Sequence, residues 1–344
     1  MIGPTSVPQA PTLNSSESAT TPFKPGHVML GLQITLIVIV MTFTVVGNGC
    51  IGILLKRFRF LQTVPNILIG NLALMDFLNV VVNMPLFLTA VVLGHNTLGG
   101  RLGSAIIFTS RTAVILLHLL NMLLMMADRY LIINWALYYG PWKSKKKVLL
   151  AVGLVWVAVF TVAIPWGFLV YRVDLEESPY LVYHLAYFHM IGKYNCFVTY
   201  PALGGAIGII ALLSYKSIKR QGKVTIMKED ANVKYSLNVV QAYSARQLNE
   251  HKAAITVAMT VLLYGVCLVP CFIYCSLMPN TFRLPSNRVE VWWVFLTCMS
   301  FYIPGACCPY LYAIRSTRYR KALAMLLSRP NLKFSEKLYL PQGH

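Results

Sequence analysis

Hydrophobic residues gather into seven long runs separated by short polar segments: roughly residues 30 to 55, 66 to 93, 103 to 133, 147 to 170, 186 to 217, 251 to 278 and 290 to 314. Each is long enough to cross the hydrocarbon core of a bilayer, about 30 Å thick, as a helix. The pattern predicts an all-α membrane protein, a seven-transmembrane helix bundle forming one domain over 30–314. Beyond it, Arg318, Arg320 and Lys321 alternate with Tyr319, Leu323, Leu326 and Leu327 at helical spacing, stopped by Pro330. That predicts a short amphipathic helix on the membrane surface over 315–330, then a cytoplasmic tail, 331–344, with no cysteine for palmitoylation. Residues 1–29 are rich in Pro, Ser and Thr and predict a disordered extracellular tail. They carry the sequon Asn14-Ser15-Ser16, a glycosylation candidate, and lack the apolar core of a cleavable signal peptide. The first span is therefore expected to direct insertion.

The third run is the most informative because charges sit inside it. Arg111, His118, Met125 and Arg129 are separated by 7, 7 and 4 residues, close to whole turns of a helix, so they share one narrow stripe. The run ends in Asp128-Arg129-Tyr130. A polar residue near one end of the span thus shares a face with a charged triplet at the other, as a signal-transmitting helix requires.

Composition supports the membrane reading: 57% of the 344 residues are hydrophobic and only 12% charged, too few charges to cover a soluble surface. The net charge of +19 does not point to nucleic acid, because the basic residues form short blocks between spans. Lys56, Arg57 and Arg59, then Lys143, Lys145, Lys146 and Lys147, then Lys216, Lys219, Arg220, Lys223 and Lys228 fall in alternate connections; Asp174, Glu176, Glu177 and Glu290 fall in the others. Positive-inside topology then puts the amino terminus outside and the carboxyl terminus in the cytoplasm. The eight cysteines lie in or at the edge of the spans and offer no disulfide framework.

Asp76 is the lone charge of the second span. An acid in that position is costly, so it is expected to face the bundle interior and pair with Asn48 or His118. Pro201 and Pro270 each remove a backbone hydrogen bond within a span and predict a bulge or kink there.

Gly47-Asn48, Asn71-Leu72-Ala73-Leu74-Met75-Asp76, Asp128-Arg129-Tyr130, Trp156 with Pro165, Pro201, Cys267-Leu268-Val269-Pro270 and Pro309-Tyr310-Leu311-Tyr312 occur in order, one set per span. Together they resemble the class A, rhodopsin-like G-protein-coupled receptors over about residues 30 to 330. The resemblance implies a plasma-membrane receptor, not an enzyme, with no cofactor and with heterotrimeric G proteins as cytoplasmic partner. It implies that Asn48, Trp156 and Pro201 are structural. It places an activation switch on Asp76, His118, Asp128, Arg129, Tyr130, Glu250, Pro270, Pro309 and Tyr312, with an Arg129 to Glu250 bridge holding the third and sixth helices together at rest. Thr112, Ile115, Phe272, Cys275 and Tyr302 would line the outer cavity with Arg111.

Departures from the pattern modify these expectations. Ser104 replaces the cysteine that ties the third helix to the following outside loop, and residues 172–185 contain none. Leu268 replaces a switch tryptophan, and Tyr302 stands where light-sensing relatives carry the retinal lysine, which excludes an opsin. His118 and Cys308 replace residues that help hold a sodium ion beside Asp76, so a hydrogen bond or ion pair between Asp76 and His118 is expected instead, unless His118 is a neutral packing residue. No other metal site is expected.

Arg111 occupies the position where amine receptors carry an acid, which argues against amines. A guanidinium there costs about 2.5–3.5 kcal/mol and needs a partner. His189 and Lys193 in the outer half of the fifth span are expected at the same cavity, which points to a pocket for an anionic small molecule or lipid bearing a carboxylate or phosphate. The competing reading has Asp174, Glu176 or Glu177 fold over Arg111 as an internal cap, giving a constitutively active or partner-regulated receptor. A transporter is the reading from another class, and no inverted repeat supports it.

Overall fold

A computed structural model describes residues 25–93, 100–135, 144–171, most of 201–216, 237–277 and 287–328, and the side chains of most of these. The described elements are helical: α1 (His27–Arg57), a 3-10 turn (Arg59–Leu61), α2 (Val64–Leu93), α3 (Gly100–Asn134) and α4 (Lys145–Tyr171). Helical residues between 201 and 216 (α5) follow, then α6 (Leu237–Leu277), α7 (Arg288–Ser300), α8 (Ile303–Arg315) and α9 (Thr317–Ser328). Among the described residues five helices are long and apolar enough to cross a membrane, and the bent pair α7 and α8 makes a sixth.

Local chemistry sets the ends. Ser144 Oγ accepts from Lys147 N at 3.2 Å at the start of α4, and Asn287 Oδ1 accepts from Glu290 N at 2.9 Å at the start of α7. Each side chain satisfies an amide that the first turn leaves orphaned. Lys56 and Arg57 occupy the last turn of α1, where cations meet the negative end of the helix dipole.

Two features differ from the sequence expectation. The sixth helix begins at Leu237 rather than near 251, so the connection before the sixth apolar run is helical over 237–250. Its 41 residues make a rod about 60 Å long, twice the hydrocarbon thickness, and it runs uninterrupted through Pro270. The seventh span, expected as one helix over 290–314, breaks at Phe301 and Tyr302, and its halves meet at 44°. Pro304 explains the break: it cannot donate to the Ser300 carbonyl, and its ring would collide with that group in a continuous helix.

α1 packs on α2 and α8, α3 on α2, α4 and α6, and α6 on α7 and α8, so α3 lies inside the ring. Asn48 fastens α1 to the seventh span by donating to Gly305 O at 2.9 Å. A Cβ on Gly47 would lie 2.8 Å from Pro309 Cβ; only glycine admits that approach of α1 to α8. The outward faces are apolar, as at Leu150, Leu154 and Val157 of α4, and acyl chains are their natural solvent.

Candidate functional site

The second, third and sixth helices meet at a buried acid. His118 Nε2 lies 2.8 Å from Asp76 Oδ1, and the Tyr264 hydroxyl of α6 reaches Oδ1 at 2.9 Å and Oδ2 at 3.1 Å. His118 Nδ1 lies 2.7 Å from Val114 O; a carbonyl only accepts, so Nδ1 carries a hydrogen. Nε2 then shares one proton with Asp76, as imidazolium with carboxylate or as neutral imidazole with carboxylic acid. Both forms are neutral as a pair, which suits a buried site. The α8 backbone closes the cluster: a Cβ on Gly305 would sit 2.8 Å from Asp76 Oδ1. Asn48, the other expected partner of Asp76, instead serves Thr44 O and Gly305 O.

A cavity of about 60 Å³ adjoins this cluster. Arg111, Ile115 and Tyr302 border it together with His118, Tyr264, Leu119, Met122 and Leu268. Tyr302 stacks on Phe87 with ring centres 6.1 Å apart, and it borders the cavity together with Arg111. Thr112 and Phe272, expected in the same lining, lie elsewhere. Thr112 is buried, and its hydroxyl has no hydrogen-bond partner among the described residues. Phe272 is 45% exposed on the outside of α6, because its place on the helix turns it away from α3. His189, Lys193, the acidic loop residues, Asn14 and the side chain of Cys275 lie outside the described residues.

At the far end of α3, Arg129 is buried and grips its neighbour: Nη2 lies 2.6 Å and Nε 3.2 Å from Asp128 Oδ2. Tyr130 is half-buried beside them. Glu250 falls within α6, but its side chain is outside the described residues. Tyr312 is buried with its hydroxyl 3.1 Å from Thr260 Oγ1. Pro270 lies within α6 and Pro309 is buried in α8, while Pro201 is exposed among the described residues of α5. Trp156 Nε1 donates to Asn71 Oδ1 at 3.0 Å, and Asn71 Nδ2 donates to Asn121 Oδ1 at 2.9 Å, which ties α2, α3 and α4 together.

The family described as 7 transmembrane receptor (rhodopsin family) matches residues 47–312. The chain belongs to this family of G-protein-coupled receptors. Among its relatives, the somatostatin receptor type 5 of Bos taurus is 24% identical over 82% of the chain and 72% of its own length. The muscarinic acetylcholine receptor M3 of Gallus gallus is 30% identical over 48% of the chain and 27% of its own length. The D(2) dopamine receptor A of Xenopus laevis is 28% identical over 44% and 34%. As a member of this family the receptor is a multi-pass membrane protein that couples to G proteins, and a transporter is not favoured.

The sodium site that the family resemblance implies beside Asp76 does not fit this receptor. Sodium, a hard cation, needs oxygen ligands; here an imidazole and a phenol take the carboxyl oxygens, and Cys308 offers a thiol. Sequence reasoning missed Tyr264, Asn121, Thr260 and the Asn79, Asn83 and Ser110 set, in which Asn83 Nδ2 donates to Asn79 Oδ1 and Ser110 Oγ to Asn83 Oδ1. The signal was present: asparagines and a tyrosine in apolar spans must place their polar atoms somewhere.

Proposed function

We propose that this receptor lies in the plasma membrane with its amino terminus outside. It takes an anionic ligand at Arg111 and activates heterotrimeric G proteins when the inner half of α6 moves away from α3. The observation that carries this reading is that one cavity is bordered by both Arg111 and Tyr264, while Tyr264 ties α6 to Asp76 of α2. A ligand entering beside Arg111 therefore approaches the group that holds α6. Agonism follows if the ligand prefers the arrangement in which that tie is released. Asp76, His118 and Tyr264 form the resting lock, and Asp128, Arg129 and Tyr130 with Glu250 form the G-protein-facing end.

A positive charge at Arg111 disfavours ammonium ligands, although relatives are receptors named for acetylcholine and dopamine. The test is a G-protein activation panel on membranes carrying wild type or Arg111→Ala, first without ligand and then with pooled acidic metabolites and lipids. A response confined to the wild type supports the pocket; equal responses in both overturn it.

A further inference from the structure

A second concave surface lies on the outward side of α8, bordered also by α1 and α6. We propose that this groove binds an anionic phospholipid, its phosphate held at Arg315 and an acyl chain lying along α8. The groove shares no lining residue with the cavity beside Arg111, so it stands whatever ligand that cavity takes.

Ile303, Ala306, Tyr310 and Ile314 line it at intervals of three and four residues, the repeat of one helix face. Phe43 of α1 and Met259 of α6 complete the lining, and Phe43, Met259 and Ile314 are exposed, so the groove opens toward acyl chains rather than into the bundle. From Ile303 to Arg315 the face runs about 18 Å, close to the roughly 15 Å of hydrocarbon in one leaflet. Its volume of about 610 Å³ leaves room for a chain. The Tyr310 hydroxyl is already used, donating to Phe43 O at 3.2 Å, and Arg315 is the one charged residue in the lining. Hydrocarbon therefore suits the length of the groove, and the polar demand is confined to its end.

At that end Arg315 Nε donates to Thr256 Oγ1 at 3.4 Å, a long bond, and among the described residues Arg315 makes no ion pair. Arg320 Nη1 donates to Ile314 O, which brings a second guanidinium to the end of the groove. The described acids are engaged elsewhere: Asp76 with His118 and Tyr264, Asp128 with Arg129. Glu290 lies in the first turn of α7, at the opposite end of the seventh span. Two guanidiniums without an acid favour an oxyanion, and a phosphate offers acceptors to both. Phosphatidylcholine brings the same phosphate but adds an ammonium, which meets two cations and no described acid. A sterol offers one hydroxyl and leaves both charges unmet. Phosphatidylglycerol keeps its net negative charge, and it is the headgroup chemistry this end fits.

The experiment titrates the full-length receptor, purified in detergent, with phosphatidylglycerol or phosphatidylcholine carrying the same acyl chains, or with cholesterol, and counts bound lipid by native mass spectrometry. Wild type is compared with Arg315→Gln, Arg315→Lys, Arg318→Gln and Cys307→Trp, each shown to be folded by its melting transition. Arg318 is exposed on α9 and does not line the groove, so its replacement removes the same charge and leaves the site. Cys307 is exposed on the groove, so tryptophan there fills it without entering the core. The expected result is one phosphatidylglycerol held about fivefold more tightly than phosphatidylcholine or cholesterol. That preference is lost in Arg315→Gln, partly kept in Arg315→Lys and fully kept in Arg318→Gln. Cys307→Trp weakens binding although no charge has changed. Equal binding of phosphatidylcholine, tighter binding of cholesterol, or an equal loss in Arg318→Gln overturns the site. So does unaltered binding in Cys307→Trp, or displacement of the lipid by soluble glycerol phosphate.

Discussion

Tyr264→Phe removes one hydroxyl from the middle of α6 and leaves the ring in place. The lost bond reaches Asp76 Oδ1 at 2.9 Å and Oδ2 at 3.1 Å. Hydrogen bonds to charged groups are worth about 1.5–3 kcal/mol in soluble proteins, whereas side-chain bonds measured inside a membrane average about 0.6 and reach about 1.7 kcal/mol. An acid as acceptor puts this bond near the top of the membrane range, about 1–2 kcal/mol. No further desolvation cost arises, because Asp76 keeps His118 at 2.8 Å. Tyr264 lies six residues before Pro270, on the part of α6 proposed to swing, so the proposed mechanism assigns the bond to the resting arrangement. Its loss multiplies the ratio of active to resting receptor by about five- to thirtyfold. Ligand-free nucleotide exchange on G protein, measured at matched surface expression, should rise accordingly, while the melting temperature of the unliganded receptor falls. Unchanged or lower basal exchange in a variant that folds and reaches the surface would refute the lock.

Other substitutions test separate contacts. Gly305→Ala places a methyl 2.8 Å from Asp76 Oδ1 and 2.9 Å from its Cγ, so thermal unfolding of the purified receptor should show a loss of about 1–3 kcal/mol; unaltered stability would mean that α8 yields freely. Asn121→Ala strips the amide that meets Asn71 and Leu68 O and leaves buried polar atoms without partners. A loss of about 1–3 kcal/mol is expected, measured by melting in detergent, and no loss would remove the α2, α3 and α4 tie from the stability account. Glu250→Ala should raise basal signalling if this acid holds Arg129 at rest, and normal basal activity at normal expression counts against that bridge.

The sequence reading located the helices where burial in lipid imposes a long apolar run, and the edges of α1 to α4 lie within a few residues of those runs. It failed where another force sets the backbone. Residues 237–250 mix polar and apolar side chains without a long apolar run, yet they extend α6, since a helix already nucleated in the membrane propagates cheaply into water. The break at Phe301 and Tyr302 was legible in Pro304, two residues past the gap, but a hydropathy scan registers the apolar sum rather than a single missing amide. Charged residues drew notice because they are rare in spans, so Asp76 and His118 were singled out, and they meet at 2.8 Å. Tyr264 was not, because a tyrosine in an apolar helix reads as core until its hydroxyl is seen 2.9 Å from an acid.

The geometry also relocates the route between the two ends of the molecule. The stripe of Arg111, His118, Met125 and Arg129 suggested a line down α3, but the polar chain stops below His118. Met122, Met125 and Met126 are each buried there, and the polar Asn121 among them is turned to Asn71 and the Leu68 carbonyl. α6 has the continuous series instead. Leu268 borders the cavity, Tyr264 binds Asp76, Thr260 meets Tyr312 at 3.1 Å, and Thr256 Oγ1 accepts from Arg315 Nε at 3.4 Å. These four positions are spaced by four residues, so they occupy one face on successive turns. Three of the four are fastened to α2 or α8. In the mechanism proposed above, a displacement of α6 that starts at Leu268 breaks these ties turn by turn, and their combined strength, rather than any path through the buried methionines of α3, would set how much ligand binding energy the switch requires.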